Sequence, residues 1–130
     1  MTVANIRFFS EALGKWTRYN VILPDAGDGS YPVLQLHGLG DDEDSWLERS
    51  NLVRYVADLP LIVVLPDGAT SAYLTWKSSD RLNQHRHEDL LMQDIRAHLW
   101  RHFHVTEGPW AIGALSMGGN GAIRLGLKYP

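Results

Sequence analysis

Residues 110–122 read WAIGALSMGGNGA: an apolar run from Trp110 to Leu115, then Ser116, then a string holding Gly118, Gly119 and Gly121. The apolar run fits a strand buried on both faces. Met117 to Tyr129 fits a helix that follows without a connecting loop. A strand that becomes a helix so abruptly leaves Ser116 alone at a sharp corner, where its hydroxyl projects above the sheet. The residues two before and two after must then be small, and they are Ala114 and Gly118. Glycines in the first turns of a helix each cost roughly 1 kcal/mol relative to Ala, so three of them point to close backbone approach. A helix N-cap is the simpler reading of Ser116. A phosphate loop is not supported, because no Gly-Lys-Ser/Thr follows and no G-x-G-x-x-G runs from Gly113.

A serine hydroxyl needs something to take its proton and something to hold the oxyanion that its attack creates. The Met117 N–H, at a helix N-terminus, is one candidate oxyanion donor. Upstream, Pro32 to Leu36 (PVLQL) reads as a strand running into His37-Gly38-Leu39-Gly40. Flanking glycines let a backbone N–H turn inward, which makes Leu39 the second candidate donor. Losing one such donor typically costs about 10²–10³ in rate.

Working outward, Leu61 to Leu65 (LIVVL) is a further buried strand. Val3 to Ser10 and Lys15 to Leu23 are two strands joined near Gly14, the pattern of an antiparallel edge hairpin. Ser45 to Asp58 has helical spacing of Trp46, Leu52, Tyr55 and Val56, with Ser45 able to cap. Glu88 to His104 carries Leu91, Ile95, Leu99 and Phe103 on one stripe. Pro24 to Ser30 and the long polar stretch Asp67 to His87 are loops. Alternating strands and helices predict one α/β domain over residues 1–130: three layers around a mostly parallel sheet, an N-terminal antiparallel hairpin, and truncation after the nucleophile helix.

With these residues in place, the chain resembles the esterase D-like α/β-hydrolases, a group of S-formylglutathione hydrolases, tributyrin and feruloyl esterases, and mycolyltransferases. The resembling features are SEALG at Ser10 to Gly14 leading into YNVILP, HGLG with Trp46 following, LPDG at Leu65 to Gly68, and LSMGGNGA at Leu115 to Ala122. They cover nearly the whole chain in the family's order. The resemblance implies ester or thioester hydrolysis through an acyl-serine. It makes Ser116 the nucleophile, Leu39 and Met117 the oxyanion donors, and a small-molecule ester the substrate, with no cofactor and no metal. Ala114 departs mildly from a position where many members have Gly. A larger departure is that the family's acid and histidine follow the nucleophile, whereas MGGNGAIRLGLKYP after Ser116 contains no Asp, Glu or His. Either the chain is a piece of a longer enzyme, or a second chain completes the site, or catalysis has been lost. Acyl transfer of the mycolyltransferase type and a non-catalytic, self-associating half-domain are the alternatives, and a homo-oligomer is expected in the last case.

Hydrophobic residues make up 45% of the 130 and charged residues 21%, an ordinary globular balance. The net charge of −3 offers nothing to nucleic acid or an anionic membrane. Cysteine is absent, the first ten residues lack a signal-peptide core, and no apolar run approaches a bilayer span, so a cytoplasmic location is expected. Among the remaining candidates, His85 and His87 beside Glu88 and Asp89 read as a solvated helix start rather than an acid–base pair. His98 and His102 read as surface histidines rather than metal ligands. Asp41 to Asp44 (DDED) reads as a solvated acidic stretch. His37 either orients the oxyanion loop or simply ends a strand. Trp46, Tyr73 and Trp76 are the candidates for lining a substrate pocket.

Overall fold

A computed structural model describes residues 1–25, 30–75 and 85–130. Strands β1 (Thr2–Ser10), β2 (Lys15–Leu23), β3 (Tyr31–Leu36), β4 (Leu61–Pro66) and β5 (Ala111–Ala114) form one sheet in the order β1-β2-β4-β3-β5. β3 runs parallel to both β4 and β5, while the β1–β2 hairpin joins β4 antiparallel. The hairpin turn is fastened from below: Asp94 Oδ2 accepts the Ser10 hydroxyl at 2.6 Å and the Ala12 N–H at 2.9 Å.

Strand periodicity builds the layers. Side chains on β4 alternate, so Ile62 and Val64 enter one core and Val63 and Leu65 enter the other. The larger core takes Tyr19, Val21, Leu34 and Leu36 from the sheet against Leu91, Ile95 and Leu99 and against Leu125 of α5 (Met117–Lys128). The smaller core packs Trp46 and Leu47 of α1 (Ser45–Arg49) and Leu52, Val53 and Val56 of α2 (Leu52–Val56) on the opposite face. Helices on both faces of a sheet make the three-layer α/β architecture that the alternating segments predict.

Two helices differ from expectation. Residues 45–58 do not form one helix, because the chain extends at Ser50 (φ −143°, ψ 168°). The Ser50 hydroxyl donates to the Trp46 carbonyl and accepts the Leu52 N–H, local bonds that compete with the helical ladder. Apolar spacing continues across that break, so periodicity could not reveal it. The second helix begins as α3 (His87–Asp89), widens into a π-helical stretch at Leu90–Ile95, and continues as α4 (Arg96–His102). Leu90 and Leu91 are both buried there.

The expected solvated helix start is also corrected. Glu88 is 6% exposed, and its carboxylate accepts Lys128 Nζ at 2.6 Å, Tyr129 Oη at 2.9 Å and Arg124 Nη1 at 3.0 Å. It ties α3 to the last turns of α5. Burial pushes its pKa up, but the three donors outweigh burial and hold it below the ordinary carboxylate range. His87 is buried too, and its Nδ1 has no partner among the described residues. Burial, then the charge of Lys15, brings its pKa down to about 4.

These groups act in different pH windows. The unfolded chain protonates His87 near pH 6.5 while the folded chain resists to about 4. Stability should therefore fall as pH drops across that interval, by up to about 3 kcal/mol. Denaturant titrations at stepped pH should show His87→Phe flattening this slope. The depressed Glu88 stabilises above the unfolded carboxylate pKa of about 4.3 and loses that contribution as pH falls through its lower folded value. Glu88→Gln should cost about 3 kcal/mol at neutral pH and remove part of the acid limb in the same titrations.

Candidate active site

Ser116 follows β5 and precedes α5, with φ +53° and ψ −115°. A non-glycine residue in that region is strained by about 1–3 kcal/mol, which the surrounding packing must impose. The helix behind it explains how. A Cβ built on Gly118 would lie 2.7 Å from the His37 carbonyl oxygen and 2.8 Å from that of Leu36. Only glycine lets α5 come this near to the end of β3. The Ser116 side chain is exposed and makes no capping bond to α5. An N-cap serine spends its hydroxyl on the helix; this one does not.

The loop after β3 meets the elbow directly. A Cβ built on Gly38 would sit 3.5 Å from both Ser116 Cβ and the Leu115 carbonyl oxygen. Gly40 takes φ +83°, and the Asp41 N–H closes the turn onto the Gly38 carbonyl at 3.2 Å. Leu39 projects outward at this turn and is exposed. Met117 is the first residue of α5, where a backbone N–H has no acceptor inside the helix. The structure thus brings the Leu39 turn and the Ser116–Met117 corner to one place.

His37 locks that loop to its neighbour. Its ring is buried, Nδ1 lies 2.7 Å from the Gly38 carbonyl oxygen, and Nε2 accepts the Gly68 N–H at 2.8 Å. The two contacts together define the Nδ1–H tautomer of a neutral ring. Burial lowers the pKa of this imidazole, yet Asp67, at 3.6 Å, the Gly38 carbonyl and Asp41 carry it above its ordinary value. The Gly68 N–H opposes protonation, because it needs the Nε2 lone pair. Of the two sequence readings of His37, the loop-orienting one describes these contacts.

Tyr73 is a correction. Its exposure is 0%, so it has no surface for substrate. Its ring fills the space left by Gly68 and by Gly121, where a Cβ would approach to 2.9 Å, and its hydroxyl donates to the His37 carbonyl at 3.0 Å. Arg124 donates to the Tyr73 carbonyl from α5. Ala69, Ala72 and Tyr73 all have φ between +48° and +56°. Alanine and tyrosine carry no turn signal, which is why the sequence hid this packing role; the glycines at 68 and 121 were its only trace. Trp46 is half-buried, its indole N–H donating to the Leu36 carbonyl at 3.1 Å. Trp76 lies outside the described residues.

The other candidates settle elsewhere. His98 is half-buried, with Nδ1 2.7 Å from Tyr19 Oη and its ring 4.4 Å from that of His102. Within DDED, Glu43 is buried, and burial raises its pKa. Asp44 accepts Asn20 Nδ2 at 2.6 Å, and Asp41 pairs with Arg49 at 2.8 Å, so the stretch is not simply solvated. Among the described residues, no three metal-ligating side chains cluster, and no helix is long and apolar enough to cross a membrane.

The Esterase family, whose model carries the description "Putative esterase", matches residues 10–130. The chain belongs to this esterase family. It is 29% identical to an esterase of Mycobacterium tuberculosis, over 95% of this chain and 28% of that protein. It is 30% identical to an acetyl esterase of Caldicellulosiruptor saccharolyticus, over 99% of this chain and 52% of that protein. Its fold is that of an S-formylglutathione hydrolase from Agrobacterium tumefaciens, with a TM-score of 0.91 at 23% identity, over 98% of this chain and 53% of the other. The chain therefore spans about half the length of the last two proteins, and less of the first.

In this esterase-family chain, the Tyr73 hydroxyl on the His37 carbonyl is a contact that a single substitution can isolate. Tyr73→Phe keeps the ring against Gly121 and removes one donor from the buried His37 carbonyl. A loss of about 1–2 kcal/mol in unfolding free energy is expected, with faster amide exchange of Gly38 and Leu39 in NMR spectra.

Proposed function

We propose that this chain carries the nucleophile half of a carboxylic-ester or thioester hydrolase. One observation carries the reading: Ser116 is held at φ +53° with an exposed hydroxyl that caps nothing. Ser116 Oγ attacks the acyl carbon, forming an Oγ–C bond as a base takes the hydroxyl proton. The Leu39 and Met117 N–H groups hold the tetrahedral oxyanion, forming the oxyanion hole. Its collapse breaks the bond to the alcohol or thiol, which leaves with that proton. Water then repeats the sequence on the acyl-serine and frees the acid. A histidine and an acid from outside these residues would serve as the base and its orienting partner, since none follows Ser116 here. Transfer of the acyl group to another hydroxyl differs only in what replaces water. The relatives' ester chemistry and the absence of cysteine support this reading with a cytoplasmic location.

An association partner is part of the proposal. Among the described residues, β5 pairs only with β3, and on α5 the side chains of Ile123 and Leu127, one turn apart, are 69% and 80% exposed. Further polypeptide of the same fold or a second copy of the chain would cover this face.

A fluorophosphonate probe tests the nucleophile. With the polypeptide that supplies the base present, Ser116 should be labelled at least about tenfold faster than any site in the Ser116→Ala variant, as read by peptide mass spectrometry. Equal labelling of the two proteins would overturn the assignment.

A further inference from the structure

β1 is the outermost strand of the sheet, and all nine of its residues, Thr2 to Ser10, pair with β2 in unbroken antiparallel register. Among the described residues, nothing pairs with its other edge. Edge strands are ordinarily blunted by shortness, bulges, proline, lysine or a covering segment, because their free N–H and C=O groups recruit further strands. β1 is long and has no bulge, and TVANIRFFS holds no Pro and no Lys; Arg7 is its one charge. On the face shared with Ile22 and the smaller core, Val3, Asn5, Arg7 and Phe9 are all exposed.

We propose that β1 pairs antiparallel with β1 of a second copy of this chain, about a two-fold axis at Ile6, so that two five-stranded sheets become one. Residues directly opposite in an antiparallel pair share a face, so a two-fold between identical strands passes through a residue that faces its own copy. Ile6 is the midpoint of β1, and only there do all nine residues find partners. That register sets Val3 against Phe9 of the second copy, twice over, a β-branched and aromatic pair of the kind that stabilises sheets. Phe9 already meets the exposed Trp16 edge-on at 6.1 Å, and Val3 lies opposite the buried Ile22. The apolar row from Trp16 through Phe9 therefore continues through Val3 into the smaller core of the second copy. Arg7 comes opposite Asn5, with no like charges in line. An axis at Arg7 would set arginine against arginine, and one at Asn5 would set Arg7 against Val3. Either shift also leaves two residues of each strand unpaired. Alternating bonded pairs supply roughly eight to ten main-chain hydrogen bonds, as many as a standard interface carries. The contact is about 30 Å long and about 10 Å deep, so it buries on the order of 600 Å² over both copies. A standard interface buries about 1,200 Å² or more, so this dimer is reversible. It is separate from any cover over β5 and α5 and does not depend on the role of Ser116.

Sedimentation velocity from about 10 μM to about 1 mM tests the association. The chain should pass from monomer toward dimer across that range. Val3→Lys combined with Phe9→Lys changes two exposed positions, brings lysine against lysine, and should weaken the dimer at least about tenfold. Val3→Lys combined with Phe9→Glu loses the same apolar contacts but opposes unlike charges. It should dimerise at least about fivefold more tightly than the double-lysine variant. The register is read with single cysteines, since the chain has none of its own. Added diamide takes two electrons and two protons from a pair of thiols as they join in a disulfide. Facing Cα atoms of an antiparallel pair stand about 4.5–5.5 Å apart, within disulfide reach. Ile6→Cys should therefore cross-link at least about tenfold faster than Asn5→Cys or Arg7→Cys, as read on non-reducing gels. A monomer throughout the range, or fastest cross-linking at position 5 or 7, overturns the proposal. So does a dimer that the double-lysine variant leaves intact, which would place the contact on another face.

Discussion

The arrangement turns on how near α5 comes to the end of β3. With a Cβ at position 118, the His37 and Leu36 carbonyls would be struck from 2.7 and 2.8 Å. Because glycine is there, the helix starts almost on top of the strand next to the one it leaves. The chain between β5 and α5 has only Leu115 and Ser116 in which to turn. Ser116 takes the corner, and its positive φ follows from lack of room. The strain at the serine and the small residue two positions later are one constraint seen twice.

A strained corner needs support, and the support comes from outside α5. The Leu36–His37 backbone, which α5 approaches, is itself pinned by the Tyr73 hydroxyl on the His37 carbonyl and by the Gly68 N–H on the His37 ring. Behind these, Arg124 reaches from α5 to the Tyr73 carbonyl, and Glu88 gathers Arg124, Lys128 and Tyr129. Charge placed at the far end of the helix thus steadies its beginning. Three left-handed alanine and tyrosine residues in the 69–73 segment show that the loop, too, is forced into shape by what it packs against.

The sheet and the elbow were legible in the sequence because both rest on residue size and period. LIVVL could only be a strand buried on both faces, and WAIGALSMGGNGA could only turn where its small residues allow. HGLG was legible for the same reason. What stayed hidden depended on partners distant in sequence. Glu88 looks like a solvated first-turn acid until Lys128 and Tyr129 come to meet it. Tyr73 looks like a pocket aromatic until Gly121 makes room for its ring in the core. Ser50 breaks a helix that apolar spacing carries straight through, because a hydroxyl competing for backbone bonds leaves no mark on hydrophobic period.

The double use of His37, ring to Gly68 and carbonyl to Tyr73, has a consequence for how the molecule breathes. Segments that each hold the same residue cannot open independently. The turn at residues 37–40, the loop at 68–73 and the first turns of α5 should form one cooperative opening unit, with a common free energy rather than three separate ones. In such a unit a loop is no hinge. The part of the chain that looks least regular behaves, energetically, as part of the helix and strand it joins.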